Sequence, residues 1–312
     1  MISAMFRSIS VVIPTFMRQR SLNVAAPSAL NQIAVGTAEL DVIIVDDASP
    51  VPIELNHFPS AQLIRHGKNK GAAAARNTGV AAANGDLIAF LDSDDAWLPN
   101  KLANQLALFE ELSQTHDPDL LVVGSGFYDP DRKTGSLRAR KPMNASERDF
   151  FASGCWFAPG SSVLMSRKAF EIVGPQDESL RRLEDLDWFI RFGQAGGKFF
   201  CTDSHDVVIR PSGNAPFDAV MTAVDQFISK YGPSGSTPLP PRAWNRLAAY
   251  LSLEKAVAHL GNRQLVSGSV ELIKTILRKP RLQPAVERFW SESSDVPREV
   301  NQIFAKMLET KE

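Results

Sequence analysis

Leu87-Ile88-Ala89-Phe90-Leu91 runs directly into Asp92-Ser93-Asp94-Asp95 and then Ala96-Trp97-Leu98-Pro99-Asn100-Lys101, and the reading of this stretch decides the fold. Five consecutive apolar residues without helical spacing suit a strand buried on both faces, with the carboxylates at its C-terminal end. In parallel α/β sheets, that end is where ligands bind. Three carboxylates within four residues repel one another unless a cation sits among them, and Mg²⁺ or Mn²⁺ carrying a diphosphate prefers such oxygen ligands. The plain alternative is an acidic turn before the helix that begins near Pro99. An EF-hand calcium loop fits less well, because Ala96 stands where that pattern needs its third ligand.

The preceding chain repeats the arrangement. Ile9-Ser10-Val11-Val12-Ile13 reads as a β-branched strand stopped by Pro14-Thr15, and Ser21 is placed to cap a helix that reaches about Ile33 with Pro27 inside it. Asp41-Val42-Ile43-Ile44-Val45 ends in Asp46-Asp47-Ala48-Ser49, a second acidic group after an apolar run. Gln62-Leu63-Ile64-Arg65 leads through Asn69-Lys70-Gly71 into an alanine-rich helix that carries Arg76 and Asn77. Strands alternating with helices predict an α/β fold with a mostly parallel sheet, its strand ends forming one rim.

No Gly-x-Gly-x-x-Gly follows the first strand and no Gly-Lys-Ser/Thr phosphate loop occurs, which argues against dehydrogenase and P-loop readings. The rim offers instead two carboxylate clusters and Arg76. Asp46 or Asp47 suits a base N–H, Asp92, Asp94 and Asp95 suit ribose and metal, and Arg76 suits a phosphate, a carboxylate or an ion pair with Asp46 or Asp47.

These residues together resemble the family 2 glycosyltransferases of the GT-A fold. The resemblance rests on Val11 to Phe16, on Val45-Asp46-Asp47-Ala48-Ser49, on Asn69-Lys70-Gly71 with Ala75-Arg76-Asn77-Thr78-Gly79, and on Phe90 to Asp95 with Trp97, Pro99 and Lys101. It covers about residues 9 to 212. It implies a Rossmann-like sheet flanked by helices and an inverting transferase that uses a nucleotide-diphosphate sugar, usually UDP-linked. Pro14, Thr15, Arg18, Asp46, Asp47, Arg76, Asp92 and Ser93 are then the nucleotide-sugar contacts, with Asp46 near the base and Asp92 near the ribose. Asp94, with Asp95, would hold Mg²⁺ or Mn²⁺ on the diphosphate.

A second focus is Leu183-Glu184-Asp185-Leu186-Asp187-Trp188. Acidic residues in a first helical turn are favoured by the macrodipole whatever their function. Transfer to an alcohol also needs a base, and a carboxylate fixed at a helix start can take that proton. The resemblance puts the base on Asp185 with Glu184 as an acceptor contact, ahead of Glu184 or Asp187 as the base. Many relatives place a histidine after the last sheet strand. Here that position holds Ser212, leaving His205 as a weak substitute ligand.

Composition sets the remaining bounds. With 44% hydrophobic and 22% charged residues and a formal net charge of -1, the 312-residue chain gives no reason to expect a nucleic-acid partner. Two cysteines, Cys155 and Cys201, are too few for a disulfide scaffold and fit a reducing cytoplasm. The N-terminus does not read as a signal peptide, and no run approaches 18 apolar residues. Residues 1–214 form the expected GT-A domain and residues 215–312 an all-helical extension, with a Pro/Gly/Ser-rich linker at 232–241. Helices are expected over residues 217–231, 244–259, 263–277, 284–290 and 296–308. The basic stretch 125–140 reads as an exposed loop or hairpin, with an anionic acceptor as the alternative. Lys274, Arg278, Lys279 and Arg281 among apolar residues suggest a packing helix with a solvated basic side, or else peripheral contact with the inner face of a membrane.

The expected partners are a UDP-sugar and a saccharide or lipid-linked acceptor, in cell-surface polysaccharide or glycolipid synthesis. The rivals are a sugar nucleotidyltransferase, whose Gly-rich triphosphate loop is missing after the first strand, and a non-catalytic sugar-nucleotide-binding protein.

Overall fold

The computed structural model describes residues 6, 8–33, 38–131, 134–210, 215–278 and 290–310. The first half runs β1 (Ser8–Thr15), α1 (Gln19–Leu30), β2 (Glu39–Asp46), β3 (Gln62–Arg65), α2 (Ala72–Ala82), β4 (Leu87–Phe90), β5 (Ala96–Trp97) and α3 (Lys101–Leu112). It continues through β6 (Leu121–Pro130), β7 (Leu137–Pro142), β8 (Val163–Ser166), α4 (Lys168–Val173), α5 (Glu184–Gln194) and β9 (Lys198–Val208). The remainder is α6 (Phe217–Tyr231), α7 (Pro241–Gly261), α8 (Leu265–Arg278), β10 (Trp290–Ser293) and α9 (Arg298–Glu309).

The strands form one sheet ordered β10-β7-β6-β8-β4-β1-β2-β3. Its β4-β1-β2-β3 half is parallel. β8 runs antiparallel to both β4 and β6. The register Thr15↔Asp46 and Val12↔Phe90 brings the C-terminal ends of β1, β2 and β4 to one edge, so all three acidic or polar loops leave from the same rim. Helices cover both faces. Leu22, Leu102 and Phe109 pack with Val11, Ile13 and Ile44 on one side. Phe170, Trp188, Phe189 and Phe192 pack with Val12, Ile43 and Ile88 on the other. A fully buried side chain of this size contributes about 1.5–3 kcal/mol through removal from water.

The alanine-rich composition of α2 has a steric reason. A Cβ at Gly79 would press into Val12 Cγ1, so the helix lies closer to β1 than any larger residue allows. Gly71, at φ 97°, begins it in a left-handed conformation.

Several expectations change. Ser21 lies inside α1 and accepts a hydrogen bond from Arg210 Nη1 at 2.7 Å, so it does not cap that helix. The 125–140 stretch is the expected hairpin, in which β6 pairs β7 from Phe127↔Arg140 to Pro130↔Leu137, but it is not wholly exposed, since Phe127, Tyr128, Leu137 and Ala139 are buried. Arg140 Nε meets Asp129 at 2.8 Å, and Arg138 Nη1 reaches Glu292 at 3.5 Å. Arg132 and Lys133 lie outside the described residues.

The tail is not all-helical. Trp290, expected in a helix, starts β10, which pairs antiparallel with β7 and lays its ring against the Arg140 guanidinium at 4.7 Å. Residues 284–289 lie outside the described residues. α9 then packs Val300, Phe304 and Met307 on Ala96, Tyr128, Ala139 and Val208, so the end of the chain is built into the sheet. Residues 232–240 hydrogen-bond back onto α6, Thr237 N to Lys230 O at 2.8 Å and Leu239 N to Tyr231 O at 3.1 Å, and do not form a free spacer.

α8 inverts the expected pattern. It buries Gly268, Glu271 and Thr275, while Leu265, Val266, Val270, Ile273, Ile276 and Leu277 are exposed. Its cations face protein: Lys274 pairs with Glu271 at 2.7 Å, and Arg278 Nη1 reaches Ser252 Oγ on α7 at 2.7 Å. Lys279 and Arg281 lie outside the described residues. Among the described residues no helix is long and apolar enough to cross a membrane.

Candidate active site

The rim encloses an open cleft of about 370 Å³. Of the expected nucleotide-sugar residues, Pro14, Thr15, Arg18, Asp47, Arg76, Asp92 and Ser93 line it. Asp46 does not. Its carboxylate is buried behind the rim, accepting from Ser49 N at 2.9 Å and from Arg65 Nη1 at 3.0 Å. Asp47 is the member of the pair that borders the cleft, and it shapes the next loop by accepting from Lys70 N at 2.8 Å and Gly71 N at 2.7 Å. His66 Nδ1 lies 2.7 Å from the same carboxylate. The buried Thr15 hydroxyl has no hydrogen-bond partner among the described residues, although Thr15 borders the cleft.

Arg76 pairs with neither Asp46 nor Asp47. It reaches across the cleft, giving Nη2 to Asp92 Oδ1 at 2.7 Å and Nη1 to Glu184 Oε1 at 2.9 Å. The close seating of α2 over β1 brings this guanidinium to the rim. Two stretches 92 residues apart in sequence, Asp92 and Glu184, are thereby joined through one cation.

The three aspartates of the acidic corner have different surroundings. Asp92 is the open one, with 37% of its side chain exposed. Gly160 makes room for it, since a Cβ there would overlap the Asp92 carboxylate. Asp94 pairs with Arg18 at 2.6 Å. Burial raises its carboxyl above the usual range, opposed by Arg18 and reinforced by Asp92. Asp95 turns inward. It accepts from Ser161 Oγ at 2.5 Å and from Arg210 N at 2.9 Å, and burial followed by Asp94 and Asp92 pushes its carboxyl well up.

Glu184 and Asp185 open α5 after Leu183, which sits at φ 62° in the left-handed region. Asp185 accepts from Leu186 N at 2.7 Å. Burial first, then Glu184, raises its carboxyl to about 6, against the pull of Arg76. Asp187 points elsewhere. It is fully buried and bound by Arg191 Nε at 3.0 Å, Lys230 Nζ at 2.6 Å and Tyr231 OH at 2.6 Å, which removes it as a base.

For a divalent ion, the corner supplies crowded carboxylates whose protonation is favoured by their mutual repulsion, and a cation would relieve that. Asp94 and the open side of Asp92 fit such an ion, while the inward Asp95 is held by Ser161 and Arg210. Among the described residues no three His, Cys, Asp or Glu side chains converge as a complete ligand set, so diphosphate oxygens and water would have to complete it. Ser212 lies outside the described residues. His205 packs in the sheet against Tyr128, with ring centroids 5.7 Å apart, and does not border the cleft.

Sequence reasoning missed Gly160 and Ser161, which shape or hold the acidic corner, and Arg182 and Tyr250 near Asp185, with Glu254 bound to both. None carries a local signal, because each acts across a long sequence separation.

Residues 10–174 match the family model Glycosyl transferase family 2. The chain is similar to the pre-mycofactocin glycosyltransferase of Mycobacterium tuberculosis, 29% identical over 207 residues that cover 62% of this chain and 40% of that protein. It is also similar to the amylovoran biosynthesis glycosyltransferase AmsB of Erwinia amylovora, 31% identical over 203 residues, 62% of this chain and 66% of AmsB. It thus spans less than two thirds of either relative. Among solved structures, S. aureus TarS 1–349 in complex with UDP shares the fold at a TM-score of 0.56 and 15% identity, covering 97% of this chain and 88% of that one.

Proposed function

The chain belongs to glycosyl transferase family 2, and from that premise we propose that it moves a sugar from a nucleotide-diphosphate donor to an acceptor hydroxyl with inversion at the anomeric carbon. The observation that carries this reading is the Arg76 bridge, which ties the cleft-bordering Asp92 to Glu184 at the start of α5, next to Asp185. The cleft-bordering Thr15 and Asp47 suit the nucleoside, and the solved neighbour's UDP favours a UDP-sugar. A role in polysaccharide synthesis follows AmsB.

In this mechanism Asp185 takes the acceptor proton as the hydroxyl oxygen bonds to the anomeric carbon and the bond to the diphosphate breaks. With its carboxyl raised to about 6, Asp185 is mostly ionised at neutral pH yet basic enough to hold a proton. Arg76 faces the growing negative charge on the leaving diphosphate. Asp94 and Asp92 would hold Mg²⁺ or Mn²⁺, which supplies further charge neutralisation at that group when bound. Glu184, tied to Arg76, keeps the guanidinium aligned between the two sides.

The test is release of UDP from a panel of UDP-sugars with Mn²⁺, in the presence and absence of saccharide acceptors. Asp185→Asn should bind UDP normally and lose turnover. Turnover that survives this substitution removes Asp185 as the base, and a protein that binds UDP but turns over no sugar nucleotide is the non-catalytic alternative.

A further inference from the structure

We propose that Glu254 of α7 is a positioning residue for the Glu184 and Asp185 carboxylates, acting through Arg182. The inference rests on the reading of Asp185 as the base and extends it to the C-terminal helices, which the family match at residues 10–174 does not reach.

Arg182 stands two residues before Glu184 and directly before Leu183, the left-handed residue that opens α5. Its Nη2 donates to Glu254 Oε2 at 2.6 Å. The other Glu254 oxygen, Oε1, accepts from Tyr250 OH at 2.9 Å, one helical turn earlier. Tyr250 is itself fixed against the chain at Gly154, where a Cβ would come within 2.9 Å of its ring and where φ is 120°. Next to Gly154 lies Cys155, whose thiol is raised well up by burial and then by Asp185 and Glu184. Arg182, Glu254, Tyr250 and Cys155 thus form a wall beside the base.

On the far side, the first turn of α5 is held by Asp187, bound to Tyr231 and Lys230 of α6. Leu186 and Ile190 sink into a core with Val224, Phe227, Leu247 and Leu251. The carboxylates lie between these two anchors. A left-handed non-glycine residue persists only where its surroundings hold it, and Leu183 has the Arg182–Glu254 pair on one side and the α6 contacts on the other.

The clamp has an electrostatic consequence. Arg182 feels both Glu254 and Asp185. The other charged or titratable groups facing Asp185 are Glu184 on its own helix, Arg76 on α2, Asp92 after β4, Cys155 and Tyr250. With Glu254 in place, most of the Arg182 charge is balanced outside the cleft. With a neutral residue there, Arg182 is left free to turn to Asp185, where it would favour the carboxylate and weaken it as a base.

Full-length protein carrying Glu254→Gln tests this in two ways. The first needs no substrate: the melting-temperature difference between the parent protein and its Asp185→Asn variant is followed from pH 4.5 to 8.5, in the presence and absence of Glu254→Gln. That difference should grow from about pH 4 and level off near pH 6 with Glu254, and the levelling-off point should fall by about 1 pH unit or more with Gln, as expected when a cation becomes available to a carboxylate. Adding Arg182→Gln to Glu254→Gln should return the levelling-off point toward 6. The second is UDP release from a UDP-sugar with Mn²⁺, in which Glu254→Gln should lower kcat about tenfold and leave UDP affinity within about twofold. An unmoved levelling-off point, or equal losses in kcat and UDP affinity, overturns the inference. Turnover that survives Asp185→Asn overturns the base assignment instead, so the two failures are distinguishable.

Discussion

Replacing Asp185 by Asn should stabilise the protein at neutral and alkaline pH and leave it unchanged in acid. The Asp185 carboxyl is raised from its ordinary 3.8 to about 6 by burial and by Glu184. A carboxyl raised in the folded state binds its proton more tightly there than in the unfolded chain, so stability falls as pH climbs from about 4 through 6. That gap of about 2 pH units, at about 1.36 kcal/mol each, means that ionised Asp185 costs the fold up to about 3 kcal/mol above pH 7. Solvent access at this half-buried side chain lowers the figure to about 1–3 kcal/mol. Asn keeps the shape and the oxygen that accepts from Leu186 N, and loses the charge. With an unfolding entropy of about 2.1 cal/mol/K per residue, the gain corresponds to about 2–5 °C in Tm for a chain of 312 residues. Thermal unfolding of both proteins from pH 4.5 to 8.5 measures it, and the difference should open as pH rises from about 4 and level off above 6. A difference that is flat with pH, or an Asn protein that melts lower at pH 8, would refute the account of Asp185 as a buried carboxylate ionised at a cost. The same group gives turnover an acidic limb near pH 6, below which the base is protonated.

Arg76→Met should cost about 1–3 kcal/mol in urea unfolding, because the mostly buried Glu184 loses its cation while the more open Asp92 is screened by solvent, and it should abolish UDP binding by calorimetry. If binding survives, Arg76 does not face the diphosphate. Gly79→Ala should lose about 1–3 kcal/mol by forcing α2 off Val12, and an unchanged denaturation midpoint would contradict the close packing. Gly160→Ala should displace the Asp92 carboxylate and weaken UDP binding about tenfold with little change in Tm, whereas normal affinity would remove Asp92 from the nucleotide site. For Asp94→Asn, the expected result is loss of the extra thermal protection that Mn²⁺ adds to UDP, and retention of that protection would place the ion elsewhere.

The parallel half of the sheet was legible because a buried strand needs an unbroken apolar run, and β1, β2 and β4 each end in turn or acidic residues where the chain meets solvent. β10 was not legible: Trp290 to Ser293 has little apolar run, and it becomes a strand only because the open edge of β7 offers hydrogen-bond partners and Arg140 offers the indole a face. Nor was α8, whose sequence periodicity shows an apolar side without saying which side meets the protein.

By itself the sequence determined the α/β alternation, the acidic corner at the end of a buried strand, and the carboxylates that open α5, since each is written in neighbouring residues. Tertiary structure alone decided that Arg76 joins Asp92 to Glu184, that Asp46 and Asp95 turn inward while Asp47 and Asp92 border the cleft, and that α7 grips Arg182. The reason is that a side chain's local sequence fixes its type and its backbone direction. Its partner, its burial and hence its charge state come from whichever distant segment folds against it.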